Sequence, residues 1–172
     1  GEEGLARMVD YKRFVGCGGT IADESEGVVR PGGQVGRAKV SYDVGRADAK
    51  RLVRLAARIC ELLLAAGARD VMPGIYGIPA LNSMDELRRH LVDEDIRTKQ
   101  LMTVYSSHPQ GTVRMNSDPK KGAVDSTGKL HGHEGLYVMD ASIFPDVLGV
   151  NPQVTIMSLG LLLGEQLAGE LD

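Results

Sequence analysis

From Asp48 onward the apolar positions Leu52, Leu55, Ala56, Ile59, Leu62, Leu63 and Ala66 recur at helical spacing, while Arg51, Arg54, Arg58 and Glu61 take another face. Apolar side chains three and four residues apart share one side of a helix. The pattern therefore predicts a packed helix that ends at Gly67, where a missing Cβ suits a left-handed terminal residue. Upstream, Lys12 to Val15, Gly27 to Arg30 and Lys39 to Val44 are rich in β-branched or aromatic residues and are separated by Gly and Pro breaks, which predicts strands and turns. Val71-Met72-Pro73-Gly74 reads as a short strand returning from the helix. Ser83-Met84-Asp85-Glu86 has the form of a capping box, so a helix should run from about Met84 into the Ile96 region.

Beyond Gln100 the chain becomes dense in Gly, Pro, Asp and His, ahead of a strand-like Leu136-Tyr137-Val138-Met139. Such loop-rich stretches are where sites tend to sit. Asn151-Pro152 then predicts the start of a last helix, with Asn as N-cap and Pro at the first helical position, where its absent N–H is not needed. The apolar stretch Val154 to Leu167 is broken by Thr155, Ser158, Gly160, Gly164, Glu165 and Gln166. It falls short of a membrane span of about 20 residues and reads as a buried helix.

A chain of 172 residues, 42% hydrophobic and 25% charged, holds enough apolar surface for one core, or a small core plus an appendage. A net charge of −3 lacks the basic footprint of a general nucleic-acid binder, so no nucleic-acid partner is expected. Cys17 and Cys60 show no metal-ligand or disulfide spacing and read as small buried hydrophobes in a reducing interior. The opening Gly1-Glu2-Glu3-Gly4 is not a secretory signal and has no initiating Met, so a cytoplasmic, processed or truncated chain is the expectation. His131 and His133 stand two apart without a Cys or acidic partner set, and are read as exposed loop histidines with no metal site. The Arg51, Arg54 and Arg58 stripe reads as a solvated face.

The candidate chemistry lies in Ser106-Ser107-His108-Pro109-Gln110-Gly111-Thr112-Val113-Arg114-Met115 and in Gly149-Val150-Asn151-Pro152-Gln153-Val154-Thr155. Pro109 biases His108 toward an extended backbone and Gly111 permits a close turn, so the imidazole is offered from a loop. Histidine accepts a proton near neutral pH, and the neutral amide of Asn151 could hold the same substrate oxygen. The free amides of Gln153 and Val154 at a helix start favour developing negative charge. From the residues alone, without the motif, His108 reads first as a turn histidine bonded to backbone, and Asp140 as a residue that caps a turn after its strand.

The segment Ser107 to Glu170 resembles the carboxyl-terminal part of the glucose-methanol-choline (GMC) family of flavin-dependent alcohol oxidoreductases. The resemblance rests on His-Pro-Gln-Gly-Thr-Val-Arg-Met, Gly122-Ala123-Val124-Asp125, Gly135-Leu136-Tyr137-Val138-Met139-Asp140-Ala141-Ser142 with Pro145, and Asn151-Pro152-Gln153-Val154-Thr155, in family order. It implies an α+β fold: a mostly antiparallel sheet with packed helices as substrate domain, then a loop-rich segment and a carboxyl-terminal helix that returns to a Rossmann FAD domain. It implies that His108 takes the alcohol proton, that Asn151 holds the oxygen, and that hydride passes to FAD. Asp140 and Ala141 would lie along the ribityl-pyrophosphate part of FAD, and Asn151, Pro152, Gln153 and Val154 near the flavin. The Gly149-Val150-Asn151-Pro152 form is closest to the sterol-oxidase, long-chain-alcohol and bacterial sugar-dehydrogenase branches.

The family binds FAD chiefly through G-x-G-x-x-G, and this chain has no such turn; Gly16-Cys17-Gly18-Gly19-Thr20-Ile21 comes nearest. The expectation is a fragment or split chain, inactive alone, with substrate-domain residues 1–104 and a catalytic-loop and carboxyl-terminal segment 105–172. Its partners would be an alcohol and an amino-terminal FAD-binding region of the same or another chain, with self-association through apolar surface left open. A noncatalytic binding or scaffold module built on the same domain is the alternative.

Overall fold

The computed structural model describes residues 9, 11–33, 36–91, 96–101 and 104–171. The fold is α+β. Strands β1 (Gly27–Pro31) and β2 (Ala38–Tyr42) form a two-stranded antiparallel sheet with Val29 opposite Val40, followed by helices α1 (Arg46–Ala65), α2 (Met84–His90) and α3 (Gln153–Leu171). Every residue of the two strands is exposed, including Val28, Val29, Val40 and Tyr42.

The helix α1 starts two residues before Asp48, with Gly45 as N-cap, and is followed by Gly67 at φ +93°. Its buried stripe is Ala49, Val53 and Cys60, flanked by Ala56, Ala57, Leu63 and Leu64, while Leu62 and Ala66 point outward. The sequence pattern had merged two faces. Leu55 lies under the extended segment at Gly19, where an added Cβ would fall 2.7 Å from Leu55 Cδ1. The first core forms where α1 meets Val71, Ile75, Leu81, Leu87 and Leu91.

Three expected elements are smaller than their sequence cues. Lys12 to Val15 is a 3₁₀ turn over Tyr11–Arg13 followed by irregular chain, because a β-branched run becomes a strand only beside a partner and none of the described residues pairs with it. Val71 and Tyr137 make single bridges, to Leu81 and Lys129, in place of strands. Helix α2 does start at the Ser83 cap: the Ser83 hydroxyl accepts from Glu86 N at 3.3 Å, and the Glu86 carboxylate accepts from Asn82 N at 2.9 Å. It stops at His90, because Leu91 leaves helical geometry (φ −99°, ψ 56°) to enter the core. Of the expected continuation, residues 92–95 lie outside the described ones.

A second core of Val124, Ile143 and Leu163, supported by Val113, Met115, Leu130, Val138, Met139 and Leu159, gathers residues 113–163 around the inner side of α3. The loops over it are crossed closely. An added Cβ on Gly122 would meet Arg114 O and Asn116 Cβ at 2.6 Å, so only glycine lets these backbones touch. Among the described residues, no helix is long and apolar enough to cross a membrane. Cys60 is buried as expected, whereas Cys17 is exposed because the segment carrying it lies on the surface.

Candidate active site

His108 stands on the exposed turn that leads into 111–115, a stretch fixed by three backbone bonds. Gly111 N donates to Ala141 O at 3.2 Å, Val113 N to Ser142 O at 2.9 Å and Met115 N to Ile143 O at 2.8 Å. Gly111 adopts φ +73°, and an added Cβ there would lie 3.2 Å from Phe144 O. The imidazole is exposed, with Nδ1 3.3 Å from Ser107 Oγ.

The partner stretch is the 3₁₀ turn Ala141–Ile143, capped by Asp140, whose Oδ1 accepts from Ser142 N at 2.8 Å and from the Ser142 hydroxyl at 2.5 Å. These Ser142 bonds, side chain first, hold the Asp140 carboxyl below its ordinary range. From this turn the chain passes through buried Phe144 and then Gly149, at φ +67°, to exposed Asn151 and buried Pro152. Helix α3 begins one residue later than the sequence suggests. Ile156 N donates to Pro152 O at 2.8 Å, so Pro152 holds the capping position assigned to Asn151. The Asn151 amide is thereby left at the helix mouth, beside exposed Gln153, Val154 and Thr155 with no acidic residue in the first turn.

The site residues thus fall on two stretches laced together at 111–115 and 141–143. His131 differs from its expectation: it is half-buried, with Nε2 2.9 Å from Asn116 O, because its loop folds back over that carbonyl. His133 is exposed, and no group of three or more His, Cys, Asp or Glu suited to a metal occurs among the described residues.

Sequence reasoning gave no role to three side chains that order this region. Gln110 Oε1 is buried without a hydrogen-bond partner among the described residues. Arg114 Nη2 donates to Glu26 Oε1 at 2.5 Å across 88 residues. Asp48, only 2% exposed, accepts from the amides of Glu24 (3.0 Å) and Ser25 (2.8 Å), from the Ser25 hydroxyl, and from Arg51 Nη1 at 2.6 Å. Burial pushes its carboxyl up, but the bonds from Ser25, Arg51 and Glu24 outweigh it and the net direction is down. The one local signal for Asp48 was an acidic residue in the first turn of a helix, where the dipole favours it.

The family profile described as GMC oxidoreductase matches residues 23–160. A GMC-type oxidoreductase of Mycobacterium tuberculosis is 38% identical over 149 residues, covering 87% of this chain and 23% of the relative. Long-chain-alcohol oxidase FAO4A of Arabidopsis thaliana is 28% identical over 164 residues, covering 92% of this chain and 22% of the relative. The crystal structure of pyridoxine 4-oxidase from Mesorbium loti superposes with a TM-score of 0.53 at 26% identity, over 85% of this chain and 28% of that one. The chain therefore spans about a quarter of the length of these relatives. A match over residues 23–160, which contains both laced stretches and the start of α3, places the chain in the GMC oxidoreductase family.

Proposed function

We propose that this chain supplies the carboxyl-terminal side of the active site of an FAD-dependent alcohol oxidoreductase that converts CH–OH to C=O. The observation that carries the reading is the lacing of 111–115 onto 141–143, which ties a loop bearing an accessible imidazole to the turn that leads to the mouth of α3. The names of two relatives, a long-chain-alcohol oxidase and a pyridoxine 4-oxidase, support oxidation as the class and an alcohol as the substrate.

The residues present suit a flavin. The start of α3 offers the amides of Gln153, Val154 and Thr155, which have no intrahelical acceptor, without a nearby first-turn carboxylate. Gln110 Oε1 is an acceptor unmet among the described residues. FAD, when bound, would supply the hydride acceptor for the carbinol carbon. His108 takes the hydroxyl proton, and Asn151 donates its amide N–H to the same oxygen and holds it in place. Asn151, Pro152, Gln153 and Val154 would hold the flavin end of FAD, with the amides of Gln153 and Val154 favouring negative charge there, and Asp140 and Ala141 would hold its ribityl-pyrophosphate part.

The FAD-binding region, in the same or a partner chain, covers the outer side of α3. Val154, Met157 and Leu161, each 59–70% exposed, recur at spacings of three and four along α3 and form one apolar stripe. Without that region the stripe supports self-association.

The test joins or mixes the chain with a family FAD-binding region and follows anaerobic flavin reduction by alcohols. Reduction that falls by orders of magnitude in His108→Ala supports the role. An unchanged rate sinks it, and failure to retain flavin on mixing favours the noncatalytic module.

A further inference from the structure

The segment Ala22 to Glu26 meets α1, the chain at Gly149 and the Arg114 side chain. Its middle is fixed to α1, where the amides of Glu24 and Ser25 donate to the buried Asp48 carboxylate. The Ser25 hydroxyl also accepts from Gly45 N at 2.8 Å, at the N-cap of that helix. At one end, Ala22 Cβ lies 3.3 Å from where a Cβ on Gly149 would fall, two residues before Asn151. At the other end, the Glu26 carboxylate receives Arg114.

The Arg114 side chain in turn backs the His108 turn. An added Cβ on Gly111 would lie 3.5 Å from Arg114 Nε and 3.7 Å from its Cγ, so the stem and head of Arg114 run alongside the residue that closes the turn. Gly111 is three residues from His108, and its backbone is bonded to Ala141. Displacement of Arg114 therefore removes a side chain that packs beside Gly111.

We propose that the Glu26–Arg114 ion pair is a positioning device: it holds the His108 turn against a segment that also braces Gly149, and so sets His108 relative to Asn151. This rests on the proposed roles of His108 and Asn151. Both partners are largely exposed, so the pair adds little to folding stability. Its effect lies in geometry, where a planar guanidinium cannot be replaced by a lysine point charge.

In the flavin-loaded enzyme, Glu26→Gln and Arg114→Lys are each expected to slow anaerobic flavin reduction about 10- to 100-fold, with half-saturation by alcohol changed less than about threefold. The thermal midpoint should stay put. The charge-exchanged pair, Glu26→Arg with Arg114→Glu, should reduce flavin faster than the single variants yet more slowly than the parent, because it restores the ion pair but not the Arg114 stem beside Gly111. In the 172-residue chain alone, Glu26→Gln should shift the NMR signals of His108 and Gly111 and leave the core methyls of Val53 and Leu81 unmoved. Single variants that reduce flavin at the parental rate, an exchanged pair no faster than the singles, or unshifted His108 signals would each overturn the proposal. His108→Ala separates the two readings. If it leaves reduction unchanged, the base assignment fails and the positioning role falls with it. If it abolishes reduction while Glu26→Gln reduces flavin at the parental rate, only the positioning role fails.

Discussion

Replacement of Asp48 by alanine tests whether a single carboxylate holds the segment Ala22 to Glu26 to α1. The substitution removes acceptors for two backbone amides, one hydroxyl and one guanidinium. Hydrogen bonds to a charged group contribute about 1.5–3 kcal/mol each, but they do not add here. Glu24 and Arg51 reach solvent, so their donors recover water, and the desolvation of the carboxylate is relieved. Loss of one partner from a buried charged network costs about 3–5 kcal/mol, and the lower half of that range fits a site rimmed by solvent. Against a total stability of about 5–15 kcal/mol, such a loss is easily measured.

The assay is urea unfolding of the parent, Asp48→Ala and Asp48→Asn across pH. The folded-state pKa of Asp48 is depressed, so its contribution is complete above the ordinary aspartate value and disappears as pH falls through the depressed one. The gap between parent and Asp48→Asn should thus be wide at pH 7 and close only in acid below that ordinary value. A loss under about 1 kcal/mol in Asp48→Ala, or a parent–Asn gap that does not change with pH, would refute the reasoning.

Gly111→Ala forces a Cβ into left-handed backbone 3.2 Å from Phe144 O and should destabilise by about 1–2 kcal/mol, read by denaturation, while loosening the Ala141 bond, read by faster Gly111 amide exchange. Tyr42, exposed but partly desolvated, has its pKa raised to about 12 by that desolvation first and by its 2.7 Å bond to Asp23 second. Its neutral phenol therefore stabilises the fold fully below the ordinary tyrosine value, and this contribution is lost as pH rises through about 12. Ultraviolet titration should show a late-ionising phenol that Tyr42→Phe abolishes. Leu161→Glu places a charge in the apolar stripe of α3, and light scattering should show less self-association than in the parent; unchanged scattering removes that stripe from consideration.

What the sequence disclosed depended on whether its signals were local. The α1 periodicity, the Ser83 cap and the Gly67 stop each lie within a few residues, and each corresponds to an observed feature. The strand cues at Lys12 to Val15, Val71 to Gly74 and Leu136 to Met139 failed because a strand is defined by a partner elsewhere in the chain. The motifs around His108 and Asn151 were legible as residue strings. Their lacing through Ala141–Ile143, the shift of the α3 cap to Pro152, and the Glu26–Arg114 contact were not, since no propensity encodes a meeting across 88 residues.

That separation also orders events during synthesis. Glu26 emerges 88 residues ahead of Arg114, an interval of roughly 4–18 s at about 5–20 residues per second. Asp48 appears early enough to anchor Glu24 and Ser25 within that time, so the brace is assembled before the turn it must hold exists. The hairpin face with Val28, Val29 and Val40 is uncovered on the nascent chain and stays uncovered once the second half of the chain has arrived.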